Sequence, residues 1–486
     1  MNENFFSLAI LDSIKYSLSK TLPALIGFIG VVIYTKLFSP EEYGNYALVQ
    51  SFILFLTIFP SGLLGNSALR FFIPYKDRND LKSYYSVILI LYIFYALCVF
   101  LIFLCIRYIF RGHLSKGLFN LYILACVEVL FYGAFSVSLA IFVADFRSRL
   151  YLLYSILLGT LKVLVVVFLA VALRQGIYSV MLGSILSIAF LLPFIIKGLP
   201  GPVLLSFDKR SLLGSLEFLS YGAPLALLSL ANWGVQYANR YIISLFGSAE
   251  AIAQFTVAFN FSQLAILTAL SGILLQASPT VIELFERKGK PEAASFITLM
   301  AHWSIVVGLP LGVGFSLLGR EILEVLSRKE YVAGAHLILP FSLSALFAHL
   351  AFIYNKAFEL TRKTAFSATY FILGGVICVL GSLVSVPYLG ILGASISNLL
   401  AFILIFLLVF LRGKKILHYA FPFRACVWGG TFAIVVILAS ITAKALFFVP
   451  ILRILSTVII FSVISLPILY SFWRKIFVVD LFNLEP

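Results

Sequence analysis

The sequence predicts an all-α polytopic membrane protein with about fourteen transmembrane helices. They are expected to form two pseudo-symmetric six-helix lobes around a central cavity, with two extra helices at the C-terminus. Three observations predict this. The 486 residues are 62% hydrophobic and only 11% charged, with a mean hydropathy of +1.09. Apolar stretches near the ~20 residues that span hydrocarbon recur along the whole length and leave no room for a large soluble domain. A stretch in the second half also repeats one in the first half at a constant offset.

Candidate spans cover roughly 20–38, 45–65, 85–106, 118–142, 150–172, 177–196, 218–246, 252–276, 296–318, 335–355, 366–386, 390–411, 426–447 and 450–472. An even number puts both termini on one side. The opening residues, MNENFFSLAILDSIKYSLSK, lack a basic start and a small-residue cleavage site, so no cleaved signal peptide is expected. Lys and Arg fall roughly two to one on the side that holds Lys15, Lys20, Arg70, Lys76, Arg147, Lys197, Lys288, Lys363, Lys415, Arg474 and Lys475. That bias places both termini in the cytoplasm. It also accounts for most of the net charge of +15, so no nucleic-acid partner is needed. Cys98, Cys105, Cys126 and Cys378 lie inside apolar runs and Cys426 opens one; they show neither metal spacing nor a disulfide framework.

The repeat pairs Asp145 with Glu359, Arg149 with Lys363, and Gly176-Ile177 with Gly390-Ile391. Each copy reads as an acidic-then-basic loop, a span, a Gly-Ile turn and another span. More loosely, KTLP at 20–23 resembles YGAP at 221–224. Two halves of six spans follow: an N-lobe over 1–205, a C-lobe over 206–415, and an unpaired helix pair over 416–486. Parallel repeats of this kind build two-lobed transporters with a central cavity.

The span at 218–246, FLSYGAPLALLSLANWGVQYANRYIISLF, is apolar but for one stripe. Asn232, Gln236, Asn239 and Arg240 stand at i, i+4, i+7 and i+8, one face of a helix, with Trp233 and Tyr237 beside them. Polar groups in a membrane face a bundle interior or a wet cavity. The stripe therefore either lines a path or bonds helices together.

Three further stretches resemble a known family. LFSPEEYGNYAL (37–48) looks like the loop after the first helix of polysaccharide flippases. In SGLLGNSALRFFIPYKDRNDLKSYYS (61–86) a Gly-rich helix end runs into a basic loop, and VPYLGILGASISNLL (386–400) carries a similar Pro-x-x-Gly-Ile-x-Gly-Ala turn. In this order they resemble the oligosaccharide-lipid flippases, for O-antigen and capsule repeat units, of the multidrug/oligosaccharidyl-lipid/polysaccharide exporter superfamily, over at least 15–415. The resemblance implies a MATE-like two-lobe fold and no enzymatic activity. It implies an undecaprenyl-diphosphate-linked glycan as cargo, turned from the cytoplasmic to the periplasmic leaflet by alternating access. An ion gradient, H+ or Na+, would drive it. A polymerase and a chain-length regulator are the partners such a flippase would have. Many members have twelve spans; fourteen occur in the related lipid II flippases.

Such cargo needs cations for phosphate and amides or aromatic rings for sugar. Arg240, Asn232, Gln236 and Asn239 are cavity candidates, Arg240 alternatively being an interfacial snorkelling residue. Arg70, with Asn66 at i−4, is a candidate for diphosphate capture or an ordinary positive-inside anchor. Lys162 lies mid-span, where a bare charge costs at least ~2.5–3.5 kcal/mol. Glu128 lies mid-span in the neighbouring helix, and the two are expected to meet, as a structural ion pair or as an anion site whose carboxylate tunes it or carries a proton. Lys20, Thr21, Gln50 and Gln276 are further polar residues of the spans; Asn260 and Gln263, at i and i+3, could extend the polar wall or serve helix–helix bonds. Pro23 and Pro224 are hinge or static-kink candidates. His302 and His349 could be protonated near neutral pH, but they lack partners at metal-ligand spacing and read more readily as packing residues.

Two rivals remain. A membrane polymerase, ligase or glycosyltransferase would place catalysis on a large outward loop, and the outward connections here are short, without Gly-x-Ser-x-Gly, P-loop or HExxH patterns. A multidrug/cation antiporter of the same superfamily needs intramembrane carboxylates, and here Glu128 stands against Lys162 and Arg240.

Overall fold

The computed structural model describes residues 22–23, 25–109 and 115–473, without the side chains of 272, 274–279, 364 and 465–473. Lys15, Lys20, Thr21, Arg474 and Lys475 lie outside the described residues, as do both termini, the opening segment and the side chain of Gln276. Every element among the described residues is helical. In chain order these are α1 (Leu25–Leu37), α2 (Pro40–Asp77), α3 (Leu81–Tyr108), α4 (Lys116–Ala144), α5 (Ser148–Val171), α6 (Tyr178–Gly198) and α7 (Lys209–Phe246). There follow α8 (Ala249–Arg287), α9 (Lys290–Leu317), α10 (Gly319–Leu326), α11 (Lys329–Leu360), α12 (Thr364–Leu417), α13 (Phe423–Leu446) and α14 (Pro450–Trp473).

Eleven of these are long and apolar enough to cross a membrane; α1 and the Pro450–Ile464 part of α14 are shorter apolar helices. The spans expected at 366–386 and 390–411 are two helices within α12 that meet at a non-helical kink at Gly390 (φ 56°, ψ −139°), the position of the expected Gly-Ile turn. Gly176, its partner in the sequence repeat, also has positive φ, 54°. A side chain disfavours this backbone region by ~1–3 kcal/mol. Gly390→Ala is therefore expected to lower the thermal midpoint in detergent although an added Cβ would meet nothing within 4 Å. An unchanged midpoint would show that the bend does not depend on glycine.

The described chain divides into two compact units, Met1–Thr256 with Ala368–Ala401, and Val257–Ser367 with Phe402–Pro486. In the first unit, Leu64, Ala68 and Phe72 of α2, Tyr84 and Val87 of α3, and Phe218 of α7 form a buried cluster. Ser67 Oγ donates to Phe218 O at 2.8 Å and Tyr84 Oη to Ala68 O at 2.9 Å. A second cluster, including Phe135, Phe142, Ile188 and Leu191, joins α4 to α6. Where α2, α4 and α6 end, the Asp145 carboxylate receives Lys76 at 2.6 Å and Arg147 at 2.7 Å.

The SPEEYG stretch opens α2. Ser39 Oγ accepts from Glu42 N, and Glu42 Oε2 accepts from Ser39 N at 3.0 Å: a capping box with Pro40 in the first turn. Gly44 then permits a close approach, since a Cβ there would lie 1.8 Å from Ala249 O. Halfway along α2, Ile58–Gly65 is π-helical. Pro60 supplies no N–H to the regular ladder, and the turns widen around it.

In the second unit, Ser304 Oγ of α9 lies 3.1 Å from His349 Nε2 of α11, so His349 is a buried, hydrogen-bonded residue. Glu321 of α10 is 3% exposed and takes Lys444 of α13 at 3.2 Å and Arg453 of α14 at 3.4 Å. This ion cluster ties the last two helices to the short amphipathic helix.

Candidate functional site

The polar stripe of α7 divides in the structure. Asn239 is buried and its amide donates to Ala394 O of α12 at 3.3 Å, while Cys378 of the same helix lies 3.6 Å away. This amide is occupied in a helix–helix contact. Arg240, one residue on, points to α2. It is 2% exposed, and its guanidinium donates to Ser51 Oγ at 2.8 Å and Ala47 O at 3.4 Å. The Tyr237 ring centroid is 4.9 Å away, a cation–π distance. Nε of Arg240 has no partner, and no carboxylate among the described residues pairs with this cation. Asn232 and Gln236 are half-buried and make no hydrogen bond among the described residues.

Across the same unit, Glu128 of α4 is 3% exposed. Lys162 Nζ of α5 lies 3.9 Å from its Oε1, a loose ion pair, and Oε2 has no partner. Ser184 of α6 lies beside the carboxylate. Several tyrosines lie near these charges. Tyr34 of α1, Tyr46 of α2 and Tyr132 of α4 are within electrostatic reach of Glu128. Tyr43, Tyr46, Tyr237 and Tyr241 are within electrostatic reach of Arg240. Tyr46 is near both charges, and its hydroxyl donates to Gln50 Oε1 at 3.0 Å. The result is a tyrosine-rich nest on α1, α2, α4, α5, α6 and α7 with two cations and one anion among the described residues.

A cation withdrawn from water without a counter-charge is costly and attracts an anion. A guanidinium with spare donors presents a planar fork that matches phosphate oxygens. Tyrosine rings and hydroxyls suit sugar faces and hydroxyl groups. The chemistry of the nest favours a negatively charged, hydroxyl-rich ligand over a cationic one, because Lys162 already faces its single carboxylate.

The other candidates lie apart. Arg70 is exposed on α2, 19 residues from Ser51, about 28 Å along a helix at 1.5 Å per residue. Asn66 turns back to donate to Gly62 O at 2.6 Å within the π-helical stretch. Asn260 and Gln263 belong to the second unit and are half-buried, without hydrogen bonds among the described residues. Pro23 is half-buried ahead of α1, and Pro224 is exposed within the continuous helix α7. Sequence reasoning found Tyr237 but missed Ser51, Tyr34, Tyr43, Tyr46, Tyr132 and Tyr241. Tyr43, Tyr46 and Gln50 do stand at i, i+3 and i+7, a helical face that could have been found, but 24 tyrosines and 48 phenylalanines obscure it.

The comparisons with known proteins agree with this architecture. The family model described as "Polysaccharide biosynthesis protein" matches residues 11–281, a little more than half of the chain. No curated protein matches the sequence. Among solved structures, the lipid II flippase MurJ in an inward closed conformation is similar with a TM-score of 0.75 at 14% identity, covering 96% of this chain and 100% of that one. An inward-facing multidrug resistance MATE family transporter has a TM-score of 0.67 at 16% identity, covering 84% and 96%. A MOP superfamily transporter from Pyrococcus furiosus Vc1, whose binding pocket is described as having reverse polarity, has a TM-score of 0.57 at 14% identity, covering 83% and 94%. At these identities the likeness is one of fold: an all-helical membrane protein of the MurJ and MATE type. With the family model spanning most of the first unit, the chain belongs to the polysaccharide biosynthesis protein family.

Proposed function

We propose that the protein is a flippase for undecaprenyl-diphosphate-linked oligosaccharide repeat units. It turns them from the cytoplasmic to the periplasmic leaflet of the bacterial inner membrane, by alternating access between two lobes, for O-antigen or capsule synthesis. The observation that carries this reading is Arg240, a buried guanidinium with an unused donor and no carboxylate partner among the described residues. The cargo has two phosphates and a sugar head that cannot enter hydrocarbon, and only a cationic, hydroxyl-lined interior can host both. Family membership and the lipid II flippase fold support the same reading. Fourteen crossings, cytoplasmic termini, coupling to an H+ or Na+ gradient, and association with a polymerase and chain-length regulator belong to the proposal. A cation antiporter is disfavoured because Lys162 stands beside the single carboxylate of the nest.

The test is complementation in the host deleted for this gene. Arg240→Ala is expected to cut delivery of repeat units to the periplasm about tenfold or more at normal membrane levels, the value of a hydrogen-bonded charge contact. Protein levels should hold, because the variant also removes a buried unpaired charge. Lipid-linked units would accumulate on the cytoplasmic face. If the deletion strain still exposes repeat units in the periplasm but leaves them unpolymerised, the protein is a polymerase or transferase instead.

A further inference from the structure

The contacts of Arg240 are part of a set. Trp233, Arg240 and Tyr241 stand at i, i+7 and i+8 on α7, one helical face. All three donate to one turn of α2: Trp233 Nε1 to Ser51 O at 2.9 Å, Arg240 to Ser51 Oγ and Ala47 O, and Tyr241 Oη to Leu48 O at 3.3 Å. Phe55 closes the lower side with its ring 5.2 Å from that of Trp233. Every acceptor is neutral. The carbonyls of residues 47, 48 and 51 lie within a continuous helix, and Ser51 Oγ itself donates to Ala47 O at 2.9 Å. The donors on α7 thus add second bonds to groups that are already satisfied. Breaking them leaves α2 intact.

We infer that Trp233, Arg240, Tyr241 and Ser51 form a latch between α2 and α7 that an incoming phosphate group releases by taking Arg240 from its neutral acceptors. This rests on the lipid-diphosphate reading above and adds how binding is coupled to opening. Charge-assisted bonds to a phosphate are about twice as strong as neutral ones and engage the guanidinium through two nitrogens. The unused Nε is the additional donor that such a bidentate contact needs. Once Arg240 turns to phosphate, two of the four latch bonds are gone and the two neutral bonds of Trp233 and Tyr241 remain. A ligand that favours the unlatched arrangement must in turn bind more tightly when the latch is weakened, because coupling is reciprocal.

The sign of that reciprocity is the test. The full chain in nanodiscs would carry spin labels on unnatural residues at Glu41 and Leu245, which spares the five native cysteines; both positions are exposed, on α2 and α7. Undecaprenyl diphosphate is the probe, and both its affinity and the label separation are measured. Addition of the probe should lengthen the separation in the unsubstituted protein. Ser51→Ala and Tyr241→Phe, each losing only a hydroxyl, should lengthen it without the probe. Ser51→Ala should tighten binding by up to about tenfold, the value of one hydrogen bond to a charged group. Arg240→Gln should lose the response to the probe. If the probe binds while the separation stays fixed and Ser51→Ala leaves affinity unchanged or weaker, the latch is refuted and the cargo reading stands. If neither the unsubstituted protein nor the two hydroxyl variants bind the probe, the lipid-diphosphate reading falls, and release by phosphate falls with it.

Discussion

Lys162→Ala is expected to destabilise the protein by about 1–3 kcal/mol, the cost of leaving a buried polar group without its partner. Glu128 is 3% exposed and its Oε2 has no hydrogen-bond partner. Lys162, 3.9 Å from Oε1, is the one cation that pairs with it among the described residues. Without that cation a carboxylate remains in a water-poor interior. The loss is large beside the ~5–15 kcal/mol that hold a typical fold. The opposite substitution is milder. Glu128→Gln leaves an ammonium on a flexible four-carbon stem, and the Lys162 side chain is 24% exposed and able to reach water. Replacing both, Glu128→Gln with Lys162→Met, removes both charges at similar volume and should restore near-normal stability. Thermal midpoints in detergent give the order, lowest for Lys162→Ala and near normal for the double variant. Equal midpoints for the two single variants would show that the carboxylate is not held charged by Lys162. Repeat-unit delivery by the stable double variant then separates the roles of the pair. Full delivery marks a structural ion pair; a loss at normal protein level marks a contact with cargo or its coupling ion.

Gly44→Ala is expected to abolish accumulation in the membrane. The added carbon would lie 1.8 Å from Ala249 O, 2.6 Å from Ala249 C and 3.1 Å from Ala249 Cα. These are backbone atoms at the start of α8 and cannot rotate aside, so α2 and α8 must separate, at a cost of about 3 kcal/mol or more. Gly234→Ala is the matched control, since its Cβ would meet nothing within 4 Å and alanine favours a helix. Membrane levels by immunoblot and monodispersity in detergent should fall for Gly44→Ala and hold or rise for Gly234→Ala. A normal, monodisperse Gly44→Ala protein would mean that the two helices do not approach in the way described.

These two sites differ in how far sequence alone could reach them. The SPEEYG stretch carries a capping signal, Ser39 with Glu42 three residues on, and that signal is local enough to read directly. The need for glycine at Gly44 is not, because Ala249 stands far along the chain and only packing brings it near. The α7 stripe shows the same limit. Spacing groups Asn239 and Arg240 on one broad face, yet adjacent residues on a helix point about 100° apart, and they meet different neighbours. Asn239 reaches Ala394 of α12, while Arg240 reaches Ser51 of α2, 189 residues away in sequence.

By itself the sequence determined that this is an all-helical membrane protein, where its apolar segments run, and that Glu128 and Lys162 lie mid-span within them. The reason is that hydrocarbon is a simple solvent. It requires ~20 apolar residues and a backbone that satisfies its own hydrogen bonds, and both requirements are met within each segment. Only the tertiary structure decided which helices meet and that Ser51 and the Tyr237 ring contact Arg240. In lipid the hydrophobic effect does not choose between helix faces. Close packing and a few polar bonds make that choice, through residues that no local pattern distinguishes.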